Sequence, residues 1–182
     1  MKKILIVVFL IYCLYAVVSF FSTIPDGILG VSLGDMFDNN IKLVESSLKI
    51  NFEINEIDKC EIYAFYENTQ ERIYYAAVNN RIILMYHIRV YPLNIYPDSM
   101  EFRLKTIKQH GLPNGFYGLA GMLSLIINLF SDYNSDSGVM FTYEEEDIVY
   151  RVIAKKSENT IEETKRFFSN EMYYSLRRNC SN

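Results

Sequence analysis

Tryptophan is absent from the 182 residues, and histidine is scarce, with two occurrences at His87 and His110. The sequence has no G-x-S-x-G or H-E-x-x-H motif, no phosphate-binding glycine loop and no dinucleotide fingerprint. Zinc sites need three or four ligands, and no histidine stands at zinc-ligand spacing from a cysteine. The sequence therefore predicts no cofactor and no metal. It favours a non-enzymatic protein, with a hydrolase of unrecognised site as the open alternative.

Basic residues are also in short supply. Lys and Arg number 18 against 22 Asp and Glu, a formal net charge of -4. Without Lys2 and Lys3 the balance is 16 against 22, or -6. A body of this sign repels phosphate backbones, and no large cluster of basic residues stands out. The sequence therefore predicts no nucleic-acid partner.

The N-terminus carries the strongest positive signal. After Met1-Lys2-Lys3, residues 4–21 run for 18 positions without a charge. Lysines before an apolar run stay in the cytoplasm, so the remainder is expected to be exported. As a helix, the run is about 27 Å long, just enough to cross a bilayer. We predict a signal peptide or membrane anchor over residues 1–22 and a single exported α+β domain over residues 23–182. The domain would be periplasmic, or would face the periplasm from the inner membrane, with the membrane as a partner through residues 4–21 if these are uncleaved.

Two cysteines remain in the exported body, Cys60 and Cys180. An oxidising compartment favours a disulfide between them. Two unpaired thiols are the alternative, because spacing alone does not supply the geometry that a disulfide requires.

Hydrophobic periodicity predicts helices packed on an antiparallel sheet in the order α-ββββ-α-α-ββ-α. The first helix is expected to begin near Gly34-Asp35, with Asp35 as its cap. Asn79-Asn80 is expected to form a tight hairpin turn. The final helix is predicted from about Thr160 to Arg178. Glu144–Asp147 is predicted to be a solvated hairpin tip rather than a calcium loop.

Residues 111–130 contain no charged residue. Their apolar part, 116–130, is predicted to be a buried helix, with a surface that contacts a partner or a bilayer as the alternative. Under that alternative the interface would include Phe116, Leu123 and Ile127. Tyrosines on the four consecutive predicted strands form a second candidate interface, because tyrosine is enriched where proteins bind each other. The candidates are Tyr63, Tyr74 and Tyr86.

Gly30-Val31-Ser32-Leu33-Gly34, followed by a helix and a strand, resembles the opening of small exported α/β scaffold domains. The small lipoprotein of the outer-membrane β-barrel assembly machinery exemplifies that group. His110-Gly111-Leu112-Pro113 is similar to the Gly-x-Pro element that follows a helix in such domains. The resemblance covers about 30 residues and implies an α+β scaffold, an imperfect duplication of helix and strands, and an interaction role. Here the lipidation site is missing, and Lys49-Ile50-Asn51 replaces the first Gly-x-Pro.

From these patterns we expect an exported cell-envelope protein without catalysis that binds another envelope protein. It would act as an assembly accessory, an inhibitor or an immunity protein. The alternatives are an envelope hydrolase and a membrane-associating module.

Overall fold

The computed structural model describes residues 6–7, 9–14, 22–95, 98–114, 123, 126, 138–157 and 159–180. Helices and antiparallel strands are mixed, which confirms the α+β class. The helices are α1 (Phe37–Leu48), α2 (Ser99–His110) and α3 (Asn170–Arg178). The strands are β1 (Glu53–Glu56), β2 (Glu61–Glu67), β3 (Glu71–Val78), β4 (Arg81–Pro92), β5 (Val139–Glu145), β6 (Ile148–Ser157) and β7 (Thr160–Ser169).

The strands form one antiparallel sheet in the order β1-β2-β3-β4-β7-β6-β5. One cross-strand row of side chains is almost completely buried and forms the centre of the core. Its members are Ala64, Tyr75, Met85, Phe167, Tyr150 and Tyr143, joined by register from β2 to β5. Helices α1 and α2 pack on this inner face through Phe37, Ile41, Val44 and Phe102. Because side chains alternate along a strand, the opposite outer face carries the neighbouring residues.

The start of α1 differs from the prediction. The helix begins at Phe37, and Asp35 does not cap it, because Asp35 Oδ2 accepts a hydrogen bond from Ser32 N instead. Asn80 in the β3–β4 turn supplies the cap: its backbone oxygen accepts from Phe37 N and its side-chain oxygen from Asp38 N. The predicted turn is confirmed, with positive φ angles at Asn79 and Asn80. The same turn therefore both reverses the chain and anchors α1.

The predicted helix from Thr160 to Arg178 is wrong in its first half. Residues 160–169 form β7, which pairs with β4 on one side and β6 on the other. Its buried residues alternate at positions 161, 163, 167 and 169, as in a strand with one face on the core. Tertiary pairing on both edges thus overrides the helical spacing. The chain becomes helical only after Ser169, whose hydroxyl accepts from Met172 N.

Helix α3 packs on one end of the outer face, where Met172, Tyr173 and Leu176 contact Ala76, Val78 and Ile83. Asn79 Nδ2 donates to Leu176 O at 3.0 Å, near the end of the helix. The structure joins Cys60 and Cys180 in a disulfide, with Cα atoms 6.0 Å apart. An ion pair between Arg177 and Asp58 lies beside it. The C-terminus is thereby held against the β2–β3 end of the sheet.

Two predicted apolar segments lie largely outside the described residues. In the first, residues 6–7 and 9–14 are helical. None of the helices in the described parts of the chain combines the length and apolar character needed to cross a membrane. In the second, Leu123 and Ile126 are helical and 48% and 39% exposed, so the expectation of burial fails at these two positions. Phe116 and Ile127 lie outside the described residues.

Candidate functional site

The three tyrosines predicted as an interface lie together on the outer face. Tyr74 and Tyr86 are directly opposite on β3 and β4, with ring centroids 6.0 Å apart. Tyr63 on β2 is 5.5 Å from Tyr74. All three are half-buried, with one side of each ring against its neighbours. The structure therefore brings them into one aromatic row rather than scattering them over the meander.

A concavity of about 480 Å³ lies over this row. Its lining comes from β2, β3 and β4 and is largely apolar, with one acidic and one basic residue at its margin. The residues are Phe65, Glu67, Arg72, Tyr74, Leu84, Tyr86 and Ile88. A shallow apolar depression with polar edges is the usual shape of a site that accepts a side chain from a partner.

Two arginines continue the row across the sheet. Arg166 on β7 is opposite Tyr86, and Arg151 on β6 is opposite Arg166. The Arg166 guanidinium carbon lies 4.9 Å from the Tyr86 ring centroid and 4.4 Å from that of Phe168. The Arg151 guanidinium carbon lies 5.3 Å from the Phe168 ring centroid. Stacking on aromatic faces fixes the orientation of the two planar guanidinium groups.

Three buried polar atoms in this row have no hydrogen-bond partner among the described residues: Arg166 Nε, Arg151 Nε and Thr142 Oγ1. Thr142 is 4% exposed and lies opposite Arg151 on β5. Buried polar groups are normally paired, because losing their bonds to water is costly. Their concentration in one register row marks this part of the outer face as the candidate site.

Burial and neighbouring charges set the ionisation of this face. Burial raises the pKa of Tyr74, and Tyr63, Glu61 and Tyr86 raise it further. Tyr74 therefore stays protonated near neutral pH and can donate a hydrogen bond. Burial also raises the pKa of Glu144, an effect that Arg151 opposes.

Both histidines lie on the inner side of the sheet. His87 is 6% exposed, and its Nε2 atom lies 2.5 Å from Glu71 Oε1. Burial lowers the pKa of His87, so the ring is neutral and donates to the carboxylate. The His110 ring packs against Tyr143 and Tyr150, with centroid distances of 5.6 and 5.1 Å. Each histidine is occupied by packing or pairing, and neither lines the concavity on the outer face.

The acidic run at 144–147 forms the β5–β6 turn, as predicted, with Glu145 and Glu146 exposed. Asp147 accepts a hydrogen bond from the Ser169 hydroxyl. In the described part of the chain, His, Cys, Asp and Glu form no group of three or more that could hold a metal ion.

Sequence reasoning missed Thr142, Arg151, Arg166 and Phe168. With residues 160–178 predicted as one helix, Arg166 and Phe168 could not be placed beside the tyrosines. The run Thr160–Ser169 contains two threonines, an isoleucine and two phenylalanines, a composition that favours a strand and was the available signal.

No protein-family model and no curated protein matches the chain. Among solved structures it is similar to a cysteine-rich secretory protein from Staphylococcus aureus subsp. aureus Mu50, with 14% sequence identity and a TM-score of 0.44. The match covers 81% of this chain and 49% of that protein, so the chain spans about half the length of the structure that it matches. A similarity at this level identifies neither a family nor a function.

Proposed function

We propose that this is an exported cell-envelope protein that binds another protein through the outer face of its sheet. The observation that carries the proposal is the row Tyr63, Tyr74, Tyr86, Arg166 and Arg151, which runs from β2 to β6 beside a concavity. Tyrosine and arginine dominate the binding energy of protein interfaces. Assembly accessory, inhibitor and immunity protein are all roles that such a face serves.

The rigidity of the row supports a binding role. Its side chains project from the strands of one continuous sheet, and the opposite side of that sheet is packed against α1 and α2. Aromatic and stacked arginine side chains held in this way lose little conformational entropy when a partner arrives. The face is therefore suited to recognition without rearrangement.

Export is supported by the basic and apolar N-terminal sequence and by the Cys60–Cys180 pairing. A reporter fused after Asn182 should be active only outside the cytoplasm. Cytoplasmic activity of the reporter would contradict export.

Site-specific photo-crosslinking in the producing cells tests the binding face. A photoreactive benzoylphenylalanine replaces Leu84, which lines the concavity, and in a matched control it replaces Leu43, which is 66% exposed on α1. We expect an adduct of defined mass from position 84 and none from position 43. Equal adducts from both positions, or none from position 84, would contradict the proposed face.

We also propose that the domain arose by an imperfect duplication. Helix α1 precedes the meander β2-β3-β4, and α2 precedes the meander β5-β6-β7. The third strands of the two units, β4 and β7, pair antiparallel at the centre of the sheet. That arrangement supports two related halves placed around an approximate twofold axis.

A further inference from the structure

Two arginines face each other across neighbouring strands, and neither has a counter-ion within the part of the chain that the structure describes. Arg151 and Arg166 are register partners on β6 and β7, and side chains in such positions start about 4.5–5.5 Å apart at Cβ. Like charges directly opposite each other destabilise a sheet. In an isolated domain this repulsion opposes the stabilising contacts of the two arginines with Tyr86 and Phe168.

Three other arginines of the domain are paired with carboxylates. Arg72 lies 2.8 Å from Glu162, Arg89 lies 3.2 Å from Glu71, and Arg177 pairs with Asp58. Within the described residues, neither Arg151 nor Arg166 has a carboxylate within 4.0 Å, and the Nε atom of each is buried without a partner. The charge of Arg151 opposes the rise in the pKa of Glu144, but no ion pair of 4.0 Å or less joins the two side chains.

Both guanidinium groups lie over the ring of Phe168. At the β5 end of the row, the buried hydroxyl of Thr142 has no hydrogen-bond partner among the described residues. Planar guanidinium groups with available N–H edges bind a carboxylate through two parallel hydrogen bonds. On the β4 side, the guanidinium group of Arg166 contacts Tyr86, which also lines the largely aromatic and aliphatic concavity.

We propose that Arg151 and Arg166 form a receptor for an acidic side chain of a protein partner. This inference rests on the proposed function and names the residue type that the outer face recognises. The partner presents an aspartate or glutamate to the two guanidinium groups and places an adjacent apolar side chain in the concavity. Charge complementarity selects the carboxylate, and the apolar lining selects a protein segment over a bare anion.

The first test repeats the photo-crosslinking from position 84 of the full chain in the producing cells. The double variant Arg151→Gln, Arg166→Gln should lower the yield of the adduct at least about tenfold, because hydrogen bonds to charged groups are strong. Its melting temperature should stay close to the parental value, because the removed like-charge repulsion offsets the lost cation–π contacts. Lys155→Gln is the matched control: it removes a positive charge from an exposed position on the same face of β6, and Lys155 does not line the concavity.

Each outcome of this test has one meaning. Loss of the adduct in the double variant alone, with the melting temperature kept, supports the receptor. A parental yield in the double variant overturns the receptor and leaves the proposed function standing. An equal loss in Lys155→Gln, or a clearly lowered melting temperature in the double variant, also overturns it. Absence of any adduct from the parent overturns both.

A binding measurement on the full chain in detergent micelles tests the carboxylate directly. The probes are the capped dipeptide Phe-Glu, its neutral counterpart Phe-Gln, and inorganic phosphate, observed through the ¹⁵N-labelled arginine Nε–H signals. We expect Phe-Glu to shift two Nε–H signals that the double variant lacks, and Phe-Gln to leave them in place. Shifts with phosphate and none with Phe-Glu, or equal shifts with both peptides, would overturn the assignment to a protein carboxylate.

Discussion

The carboxylate of Glu71 accepts a hydrogen bond from the buried imidazole of His87, which joins β3 to β4 on the inner face. Burial lowers the pKa of His87 below its ordinary value of 6.5. Burial by itself would raise the pKa of Glu71, but hydrogen bonds from His87 and Arg89 outweigh it and lower that pKa. Both groups therefore bind protons less readily in the folded protein than in the unfolded chain.

Stability should fall as the pH drops below about 6.5, because the unfolded chain then takes up a proton at position 87 that the folded protein excludes. We expect full stability above that pH and a progressive loss below it. In His87→Gln the slope of unfolding free energy between pH 7.5 and 5.0 should be shallower. Urea denaturation across this range measures the slope. Lys108→Gln, an exposed change on α2, is the control and should keep the parental slope.

Removal of the disulfide should lower the free energy of unfolding by about 2–4 kcal/mol, since the Cys60–Cys180 link closes a long loop in the unfolded chain. Cys180→Ser tests this, and Cys13→Ser, which alters an unpaired cysteine, should leave stability unchanged. On a non-reducing gel the parent should migrate faster than Cys180→Ser. Quantitative labelling of all three thiols in protein taken from its own compartment would contradict the link.

Phe167 and Phe168 are neighbours in sequence on opposite faces of β7. Phe167 is 2% exposed and stacks on Tyr150, with centroids 4.4 Å apart. Phe167→Ala should therefore cost about 3–5 kcal/mol of unfolding free energy. Phe168→Ala, on the half-buried outer face, should cost clearly less. Urea denaturation of both variants decides the matter, and equal losses would contradict the alternation of a strand.

Leu123→Asp should leave the melting temperature of residues 23–182 close to the parental value, because the side chain is 48% exposed. Ile73→Asp is the comparison, since Ile73 is completely buried and an unpaired charge there is costly. Circular dichroism melts distinguish the two. Unfolding by Leu123→Asp would restore the interpretation of 116–130 as a buried helix.

The sequence predicted four strands after the first helix and a further helix after them, because these elements have local signals. Asn79-Asn80 specifies the hairpin, and Asp98 caps α2 by accepting from Met100 N and Glu101 N. The capping of α1 was not predictable in this way. Its cap, Asn80, lies more than 40 positions away in sequence and reaches the helix only when the sheet has formed.

Strand β7 was missed for a related reason, although its threonines and phenylalanines favour a strand. Glu163 is 4% exposed, and a buried carboxylate contradicts any pattern of apolar residues facing inward. It is tolerated because Lys105 of α2 and Lys165 lie 3.3 and 3.6 Å away. Such compensation depends on the packed structure. Arg151 and Arg166 are neighbours only because β7 pairs with β6, so their juxtaposition could not be predicted without β7.

The position of β7 between β4 and β6 also governs how the chain reaches its native state. Synthesis proceeds from the N-terminus, so β4 is complete long before its partner β7 exists. Until then β4 has an open edge beside Tyr86 and Ile88, and open edges of this kind pair with other chains. Closing the sheet also requires contacts between residues far apart in sequence, which form slowly. A nascent chain that ends before Thr160 should therefore associate with other chains instead of folding, and completion of the domain awaits its last strand.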